Sequence, residues 1–518
     1  MQYDRYDHDA LDVDESVRER HRTAAEPIRD EPYGHLIGGE FVAGERGETA
    51  RVCDATTGAV LGRVQVGSPA DVDRAVEAAR DAVEGRWGEV HPRRRAELLE
   101  DVIERFEERK ATIAKLDSLE MGKPNKHSML VDMTIASDQL RYFAAVARSH
   151  DAGRVVPADA EKHVYTRFEP YGVVGAITAW NFPALFVTWK AGPALAAGNS
   201  VVIKPSSRST LSTLELARCF DDVLPDGTVN VVTGTGGTVG AAIAGHEGID
   251  KLTLTGSTGA GASAMAAASD SITPVSLELG GKNPLIVFPD ADLEAAVEGA
   301  AVGLCFNAGQ QCIAASRLYV HAEVREEFLA LFADRLDELA VGDPLSPLTD
   351  VGPLVDHDHR ESVREHVETA VAQGATVHYR GETPWEDPDH ELAGAPLHPP
   401  VVLTDVSDED AIAREEVFGP VATVHEWTDR EDVIRRANDT PYGLVAGIWT
   451  TDLETAHEVA AALEVGTVWV NNYGDLLEPA PHGGFKDSGI GRELAVEAME
   501  SYRQVKTVNV TLGDPLSL

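Results

Sequence analysis

The sequence predicts an α/β protein with parallel sheets, divided into two or three domains. Strand-like and helix-like segments alternate from Val173 onward, and a second alternating block runs from about Gly281 to Pro481. Such alternation indicates parallel strands joined by right-handed helical crossovers. The chain has 518 residues, too many for one simple core, and its hydrophobic content of 43% allows a sizeable core.

The charge of the chain excludes one class of function and suggests an environment. The formal net charge is −41, from 45 basic and 86 acidic residues, and the acidic residues are dispersed along the chain. Nucleic-acid binding needs a basic surface, so we expect none. Dispersed acidity is typical of the solvated surface of a halophilic protein, and self-repulsion at this charge requires screening. The alternative is simply a soluble acidic protein.

The compartment is predicted to be the cytoplasm. No run of about 18 apolar residues is present and the segment Met1–Asp4 is polar, so we expect neither a membrane span nor a secretory signal. The four cysteines, Cys53, Cys219, Cys305 and Cys312, are widely spaced, without a C-x-x-C pair or a metal-ligand spacing with His. Reduced thiols and no metal site are therefore expected.

The N-terminal third is predicted to be mainly helical. Residues 1–33 are charged and lack apolar periodicity, which indicates a flexible or surface-draped extension. His35–Val42 predicts a hairpin around Gly-Gly. Ser68 and Pro69 predict the start of a helix. A second helix carries Leu98 to Phe106, and a third is expected to end near Gly122.

The alternating blocks define the strands at whose ends chemistry is expected. Strands are predicted at Val164–Phe168, Val173–Ile177, Ser200–Ile203, Val229–Val232, Lys251–Leu254 and Pro284–Phe288. Helices are predicted at 184–197, 210–220, from Asp292 onward, at 324–339 and at 360–372. Residues 381–400 are rich in Pro and charged residues and predict an exposed loop. Parallel sheets bind ligands at the carboxyl ends of their strands.

Four of the strand-end loops carry residues suited to ligand or transition-state binding. Asn181 could donate a hydrogen bond to an oxyanion, or simply form a turn. Lys204 places a cation at a strand end, or lies in a surface turn. Gly234–Gly240 resembles a dinucleotide fingerprint but lacks its final Gly. Thr255–Gly261 could offer backbone N–H groups to a phosphate at a helix N-terminus.

A thiol and a carboxylate suggest covalent catalysis. Cys312 follows an apolar run and small polar residues, a setting that could present a nucleophile. A lone Cys is more often a small buried hydrophobe, and we interpret Cys305 in this way. Glu278 lies between two Leu residues of a predicted strand, where burial would raise its pKa toward that of a usable base. A thiolate could attack a carbonyl carbon, a cofactor could remove hydride, and water activated by the carboxylate could hydrolyse the thioester.

Several motifs together resemble the aldehyde dehydrogenase superfamily, in its NAD(P)-dependent hydrolytic type. The resemblance extends from about His35 to Val510. The motifs, in the family's order, are Trp180–Pro183, Leu277–Lys282, Phe306–Cys312, Glu415–Val421 and Gly483–Gly489. The resemblance implies oxidation of a small-molecule aldehyde with NAD or NADP.

The resemblance also implies catalytic roles for individual residues. Cys312 resembles the nucleophile and Glu278 the general base. Asn181 and the backbone N–H of Cys312 resemble the oxyanion hole. Lys190 and Glu493 match positions that the family associates with proton relay.

The implied cofactor site draws on several segments. Lys204 resembles the adenosine-ribose ligand, Ser257 and the following helix would face the pyrophosphate, and Glu416 would hold the nicotinamide ribose with Phe418 nearby. The predicted site also includes Thr178, Trp180, Gly236, Gly240 and Leu279. Many NAD-preferring members carry Glu where this chain has Ser207, followed here by Arg208. The absence of a carboxylate and the presence of a cation predict that NADP is accepted. The alternative is that Ser207 has no effect on cofactor choice and that NAD still works well.

The implied architecture is a Rossmann-like cofactor domain, a catalytic domain and a small β oligomerisation arm of a homodimer or homotetramer. The predicted limits are 1–33 for the extension, 34–147 and 171–280 for the cofactor domain, 281–481 for the catalytic domain, and 148–170 and 496–510 for the arm. The aldehyde tunnel is expected to involve Leu185, Phe186, Trp189, Phe306 and His482. The acidic loop Tyr473–Glu478 disfavours aldehydes that bear a carboxylate.

Three other functions stay open from the sequence. A CoA-acylating aldehyde dehydrogenase would share the Cys but would not need the base Glu278. A cysteine hydrolase or transferase without redox chemistry would not need the cofactor motifs. A binding or structural protein descended from the family would lack a catalytic residue, whereas Cys312, Glu278 and Asn181 are all present.

Overall fold

The computed structural model describes residues 13–26, 32–149 and 153–512. The first strands are β1 His35–Ile37, β2 Glu40–Val42, β3 Thr49–Cys53, β4 Val60–Gln65, β5 Val155–Val156, β6 Lys162–Pro170, β7 Val173–Ile177, β8 Ser200–Lys204, β9 Val229–Val231 and β10 Lys251–Thr255. The later strands are β11 Val275–Glu278, β12 Pro284–Val287, β13 Arg317–His321, β14 Thr376–Arg380, β15 Val401–Thr404, β16 Val421–Trp427, β17 Val445–Trp449, β18 Thr467–Val470, β19 Gly489–Ile490 and β20 Arg503–Thr511.

The helices surround these strands. They begin with α1 Glu15–Ala25, α2 Pro69–Glu84, α3 Pro92–Met121, α4 Asn125–His127, α5 Met133–Ser149, α6 Pro183–Ala197, α7 Leu211–Asp221 and α8 Ala241–Ala244. They continue with α9 Thr258–Ala268, α10 Leu293–Cys305, α11 Arg325–Asp337, α12 His357–Gln373, α13 Ala411–Arg414, α14 Arg430–Asn438, α15 Leu453–Ala462 and α16 Ala495–Ser501. Within the described residues, no helix is both long enough and apolar enough to span a membrane.

Two large sheets confirm the predicted parallel α/β architecture. The first has eight strands in the order β19-β11-β10-β7-β8-β9-β1-β2, and its five central strands are parallel. The second has seven strands in the order β14-β15-β16-β13-β12-β17-β18, and only its edge strand β14 is antiparallel. In the first sheet β7 lies between β8 and β10, so the chain order reverses there. Ligands bind such sheets at this reversal, outside the carboxyl ends of the strands.

Burial explains why these segments form central strands. Every residue of β7 and of β8 is buried, as expected for strands covered by helices on both faces. Helix α6, which follows β7, is buried along its whole length. The apolar residues of β7 and β8 therefore need no polar face, and the carboxyl ends of both strands point to the same edge of the sheet.

Two predictions for the N-terminal region are confirmed and one is wrong. The hairpin at His35–Val42 is formed by β1 and β2. Helix α2 begins at Pro69, and the capping box of Ser68 and Asp71 satisfies its first N–H groups. The second and third predicted helices are one helix, α3, because buried apolar residues continue past Phe106 up to Gly122, which ends the helix at φ 78°.

The loop at 381–400 was expected to be exposed, and this is wrong for its second half. Trp385, Leu392 and Leu397 are buried against Val13 and Val17 of the N-terminal segment. The extension therefore packs against the protein surface over residues 13–26, whereas residues 1–12 and 27–31 lie outside the described part of the chain. Local composition missed this contact because its two sides are far apart in sequence.

A small antiparallel sheet contains the segments predicted to form the oligomerisation arm. Its order is β20-β6-β5, and β20 pairs with β6 from Arg503 to Thr511. The expectation of strand structure is wrong for residues 496–501, which belong to α16. The role of this sheet in oligomerisation and the domain limits stay predictions.

A buried His attaches α1 to the rest of the molecule. His21 Nδ1 lies 2.7 Å from Asp54 Oδ2, next to β3, and Nε2 lies 3.0 Å from Asp343 Oδ1, beyond α11. Burial lowers the pKa of His21, but the two carboxylates outweigh it and raise this pKa to about 9. The imidazolium can donate from both ring nitrogens, so its charged form bridges both carboxylates.

The stabilisation from His21 is expected to disappear at alkaline pH. Because its folded-state pKa is raised above the ordinary value of about 6.5, the contribution is complete below that value and is lost as pH rises through about 9. His21→Gln should lower the free energy of unfolding at pH 6.5 by about 3–5 kcal/mol, the usual loss for a broken buried ion pair, and should lower the melting temperature accordingly. Melting curves from pH 6 to pH 10.5 test this. A wild-type-to-variant difference that stays constant with pH would contradict it.

Candidate active site

The loop that carries Cys312 follows α10 in a strained conformation. After Cys305 the chain passes through Asn307 at φ 52° and Ala308 at φ 54°, both left-handed, and through Gly309 at φ 71°. A Cβ at Gly309 would collide with the backbone of Gly419. Left-handed non-glycine residues cost of order 1–3 kcal/mol each and persist only where surrounding contacts hold them.

Side-chain amides hold this loop. Asn307 Nδ2 donates to the carbonyls of Asn181, at 3.2 Å, and Gln310, at 3.1 Å. Gln310 Nε2 donates back to the Asn307 carbonyl at 3.1 Å. Asn283 Nδ2 donates to the carbonyl of Cys312 at 2.8 Å. The backbone around the thiol is therefore held by amides of the loop itself and by Asn283 from a separate segment.

The Cys312 thiol is half-buried at the inner end of a cavity. Burial raises its pKa to about 12, and the charges of Glu416 and Glu278 add to this. The backbone N–H groups of Cys312 and Ile313 act in the opposite direction because they bond to the sulfur. The thiol is therefore protonated at neutral pH in this state, and its ionisation requires a base or a change in its surroundings.

Glu278 ends β11 and is close enough to Cys312 for its charge to raise the pKa of the thiol. It lies opposite Thr255 of β10, it is 7% exposed, and within the described residues neither of its carboxylate oxygens has a hydrogen-bond partner. Burial raises its pKa well above the ordinary value, and the charge of Glu493 adds to this, while Lys190 and Arg492 oppose it. An unbonded carboxylate with a raised pKa is the form expected of a general base.

Asn181 is placed against the Cys312 loop, as the oxyanion prediction requires. It follows β7, is buried, and donates from Nδ2 to the Gln310 carbonyl at 3.0 Å. The amide group has two N–H donors, and this bond uses one of them. The second can serve a ligand oxygen.

Lys190 and Glu493 meet as a buried ion pair. The Lys190 ammonium of α6 contacts Glu493 Oε1 and also lies 3.2 Å from Thr253 Oγ1. Both charged side chains are nearly inaccessible to solvent. Their charges act on Glu278, so the structure assembles these three predicted residues in one region.

The cleft at the end of the first sheet contains the predicted adenosine and pyrophosphate residues. Lys204 ends β8 and is 6% exposed, and burial lowers its pKa to about 8. Ser257 caps α9 by accepting the Ala260 N–H at 3.2 Å. The hydroxyls of Thr178 and Thr255 are buried without a hydrogen-bond partner in the described chain. A cation, a helix N-terminus and free hydroxyls fit a ribose and a pyrophosphate.

The glycine-rich turn Gly236–Gly240 leaves open space beside its backbone. Side chains at Gly236 or Gly237 would meet no described atom within 4 Å, and Gly240 packs against the stem of Lys204. Gly236–Gly240 forms one π-helical turn before the short α8. The backbone can therefore approach a ligand closely here.

Glu416 lies across the cleft beside the Gly-Gly pair after Leu279. Its Oε1 accepts the Gly281 N–H at 3.0 Å, and a Cβ at Gly280 would collide with its carboxylate. Burial raises the pKa of Glu416 to about 7. The Phe418 ring packs edge-on against Trp180 with centroids 5.5 Å apart. These contacts bring predicted cofactor residues of both sheets together.

The structure adds a partner to Arg208 that the sequence did not suggest. The Arg208 guanidinium lies 2.7 Å from Asp356 Oδ2 and 5.8 Å from the centre of the Trp180 ring. Asp356 also caps α12 by accepting the His359 N–H at 2.8 Å. An Asp before a helix signals a cap, but nothing local signals its pairing with Arg208. Ser207, the preceding residue, is half-buried.

An aromatic cavity of ≈240 Å³ leads to Cys312. All five predicted tunnel residues line it: Leu185, Phe186, Trp189, Phe306 and His482. Phe182 and Phe306 stack with centroids 6.2 Å apart. Burial lowers the pKa of His482 to about 4, so this side chain is neutral at pH 7. Sequence reasoning missed Phe182, Ile135 and Leu476, although Phe182 stands in a motif that had been singled out.

Comparison with known proteins identifies the fold and the family. A model described as the aldehyde dehydrogenase family matches residues 41–508. An NAD+ complex of an aldehyde dehydrogenase from Bacillus cereus is 38% identical, with a TM-score of 0.90, and covers 97% of this chain and 100% of its own.

Two further solved structures agree. Betaine aldehyde dehydrogenase from Staphylococcus aureus in complex with NAD+ is 34% identical, with a TM-score of 0.92, over 96% of this chain and 98% of its own. PnpE from Pseudomonas sp. WBC-3 is 38% identical, with a TM-score of 0.90, over 94% of this chain and 99% of its own. The chain belongs to the aldehyde dehydrogenase family.

Proposed function

We propose that the protein oxidises an aldehyde to the carboxylic acid with NAD(P)+, through a thioester on Cys312 that is hydrolysed by water activated by Glu278. The observation that carries this proposal is the buried, unbonded carboxylate of Glu278, whose charge acts on the Cys312 thiol that lines the cavity. Family membership supports aldehyde oxidation, and the relatives from B. cereus and S. aureus were solved with NAD+.

The cleft residues fit the cofactor. Lys204 and the N-terminus of α9 at Ser257 would hold the adenosine ribose and the pyrophosphate, and Glu416 would hold the nicotinamide ribose. The partnerless hydroxyls of Thr178 and Thr255 in the described chain are consistent with a ligand in this cleft. When bound, the nicotinamide accepts hydride from the carbon attached to the Cys312 sulfur.

Acylation depends on Cys312 and Asn181. The sulfur attacks the aldehyde carbon, and the thiol proton leaves to Glu416, the carboxylate whose charge acts on it most strongly. The aldehyde oxygen becomes an alkoxide that accepts N–H groups from Asn181 Nδ2 and the Cys312 backbone. Because the loop is fixed by the Asn283 and Asn307 amides, the backbone that carries these donors is already in place before the reaction.

Deacylation depends on Glu278. As water attacks the thioester carbon, Glu278 takes one of its protons, the C–S bond breaks, and Cys312 leaves as thiolate. A CoA-acylating enzyme would not need this base, and the buried, unbonded Glu278 therefore favours hydrolysis. A non-redox hydrolase would have no use for Lys204 and Glu416 in a cofactor cleft.

The lining of the cavity favours apolar or aromatic aldehydes. Aromatic and aliphatic side chains together contribute most of its wall, and none of its described lining residues is Lys or Arg. A free carboxylate on the substrate would have no cationic partner there, so the free-energy cost of removing it from water would not be compensated.

We also propose that the protein is a cytoplasmic homodimer or homotetramer that docks through β20, and that it functions in high salt. Strand β20 exposes Val505, at 61% relative exposure, on an edge of its sheet. An exposed edge strand of this kind can pair with another chain. The net charge of −41 requires screening, which salt provides.

The proposed reaction is tested with a panel of aldehydes in high salt. Hexanal and benzaldehyde should be converted to their acids with NAD(P)H formed in equal amount, and succinate semialdehyde should be poor. Cys312→Ala should lose about 1,000-fold or more in turnover, and the matched variant Cys305→Ala should not. Full activity of Cys312→Ala, or a product that forms only with CoA, would contradict the proposal.

Cofactor choice is expected to depend on position 207. Wild type should use NADP with a kcat/KM within about tenfold of that for NAD. Ser207→Glu should lower the NADP value by about tenfold or more, since a carboxylate near the 2′-phosphate adds repulsion of at least 1.4 kcal/mol. Arg208→Gln serves as the comparison, because Arg208 is already paired with Asp356. A wild-type preference for NAD of about tenfold or more would contradict this expectation.

A further inference from the structure

A row of buried polar side chains lies behind Glu278 on the central strand β10. Leu252 and Leu254 point into an apolar core, so Lys251, Thr253 and Thr255 share the opposite face, where all three are buried. Strand β11 continues this face, because Thr253 pairs with Ser276 and Thr255 with Glu278. Buried polar groups cost free energy unless they are hydrogen-bonded, so this row requires partners.

Thr253 is the point at which these partners meet. Its Oγ1 accepts from Lys190 Nζ at 3.2 Å and donates to Glu493 Oε1 at 3.5 Å. Burial and the charge of Glu493 raise the pKa of Tyr502, and a hydrogen bond with Thr253 opposes them. Thr253 itself is completely buried and Tyr502 is 2% exposed. A threonine hydroxyl has one donor and two acceptor sites, enough to join an ammonium, a carboxylate and a phenol.

This group of side chains acts on Glu278 through charge. The charged and titratable groups that face Glu278 are Glu493, Lys190, Arg492, Tyr502 and Cys312. Glu493 disfavours the ionised carboxylate of Glu278, and Lys190 favours it. The position of the Lys190–Glu493 pair therefore determines how readily Glu278 accepts and releases a proton.

We propose that Thr253 and Tyr502 are positioning residues for thioester hydrolysis, which hold the Lys190–Glu493 pair in the arrangement that lets Glu278 take a proton from water and release it again. This inference rests on the proposed function. In each turnover a water O–H bond breaks, its oxygen bonds to the acyl carbon, and its proton binds Glu278. The C–S bond breaks, Cys312 leaves as a thiolate, and Glu278 must lose the proton, to that thiolate or to solvent, before the next cycle.

Aldehyde oxidation comes before water attack and does not need proton transfer from water to Glu278, so the two stages separate the roles. Enzyme in excess is mixed with NAD(P)+ and with hexanal or benzaldehyde, whichever wild type turns over faster. NAD(P)H is followed by absorbance, and free acid is measured after acid quench. Tyr502→Phe and Thr253→Val should form NAD(P)H within about twofold of wild type but release acid about tenfold more slowly, equivalent to 1.4 kcal/mol.

Thr253→Ser keeps the hydroxyl and is the matched control, so its acid release should stay within about threefold of wild type. The inference is overturned if Tyr502→Phe releases acid at the wild-type rate, or if both stages slow equally, which would indicate a merely structural role. If Thr253→Val fails to fold, Tyr502→Phe decides, because it removes a single oxygen. Failure of the proposed function is distinguishable, since wild type itself would then form no NAD(P)H or no acid.

Discussion

The site depends on the hydrogen bonds that hold the Cys312 loop in its left-handed path. Asn307 and Ala308 would not keep positive φ values unaided, and the amides of Asn307, Gln310 and Asn283 fix the backbone around them. The same network includes Asn181, which donates to Gln310. The nucleophile and its predicted oxyanion donor are therefore parts of one rigid unit, and the required orientation exists before substrate binds.

Burial gives the neighbouring ionisable groups their chemical character. It raises the pKa values of Cys312, Glu278 and Glu416 and lowers that of Lys204. Each shift disfavours the charged form of the side chain, so ionising these groups costs free energy while no ligand is bound. Strongly perturbed titratable groups gathered in one region are typical of active sites. Lys190 and Arg208 are instead each paired with a carboxylate, Glu493 and Asp356.

The sequence predicted best what depends on local periodicity. The strands β7, β8 and β10 and the cap at Ser68 follow from patterns within a few residues, and the structure confirms them. Contacts between distant segments were missed: the burial of Trp385 against Val17 and the pairing of Arg208 with Asp356 have no local signature. The site motifs were recognisable because their residue types are chemically unusual for strand ends, whereas Thr253 looked like an ordinary strand residue.

The most direct test of the thioester mechanism is the mass of the Glu278→Gln protein after it has reacted with NAD(P)+ and an aldehyde that wild type oxidises. Without the base, the thioester should persist, so the protein should gain the mass of one acyl group, located on Cys312 by peptide mapping, while one equivalent of NAD(P)H forms. Wild type under the same conditions should carry no adduct once the aldehyde is consumed. Undiminished turnover of Glu278→Gln without an adduct, or an adduct on Cys305 instead, would contradict the thioester mechanism.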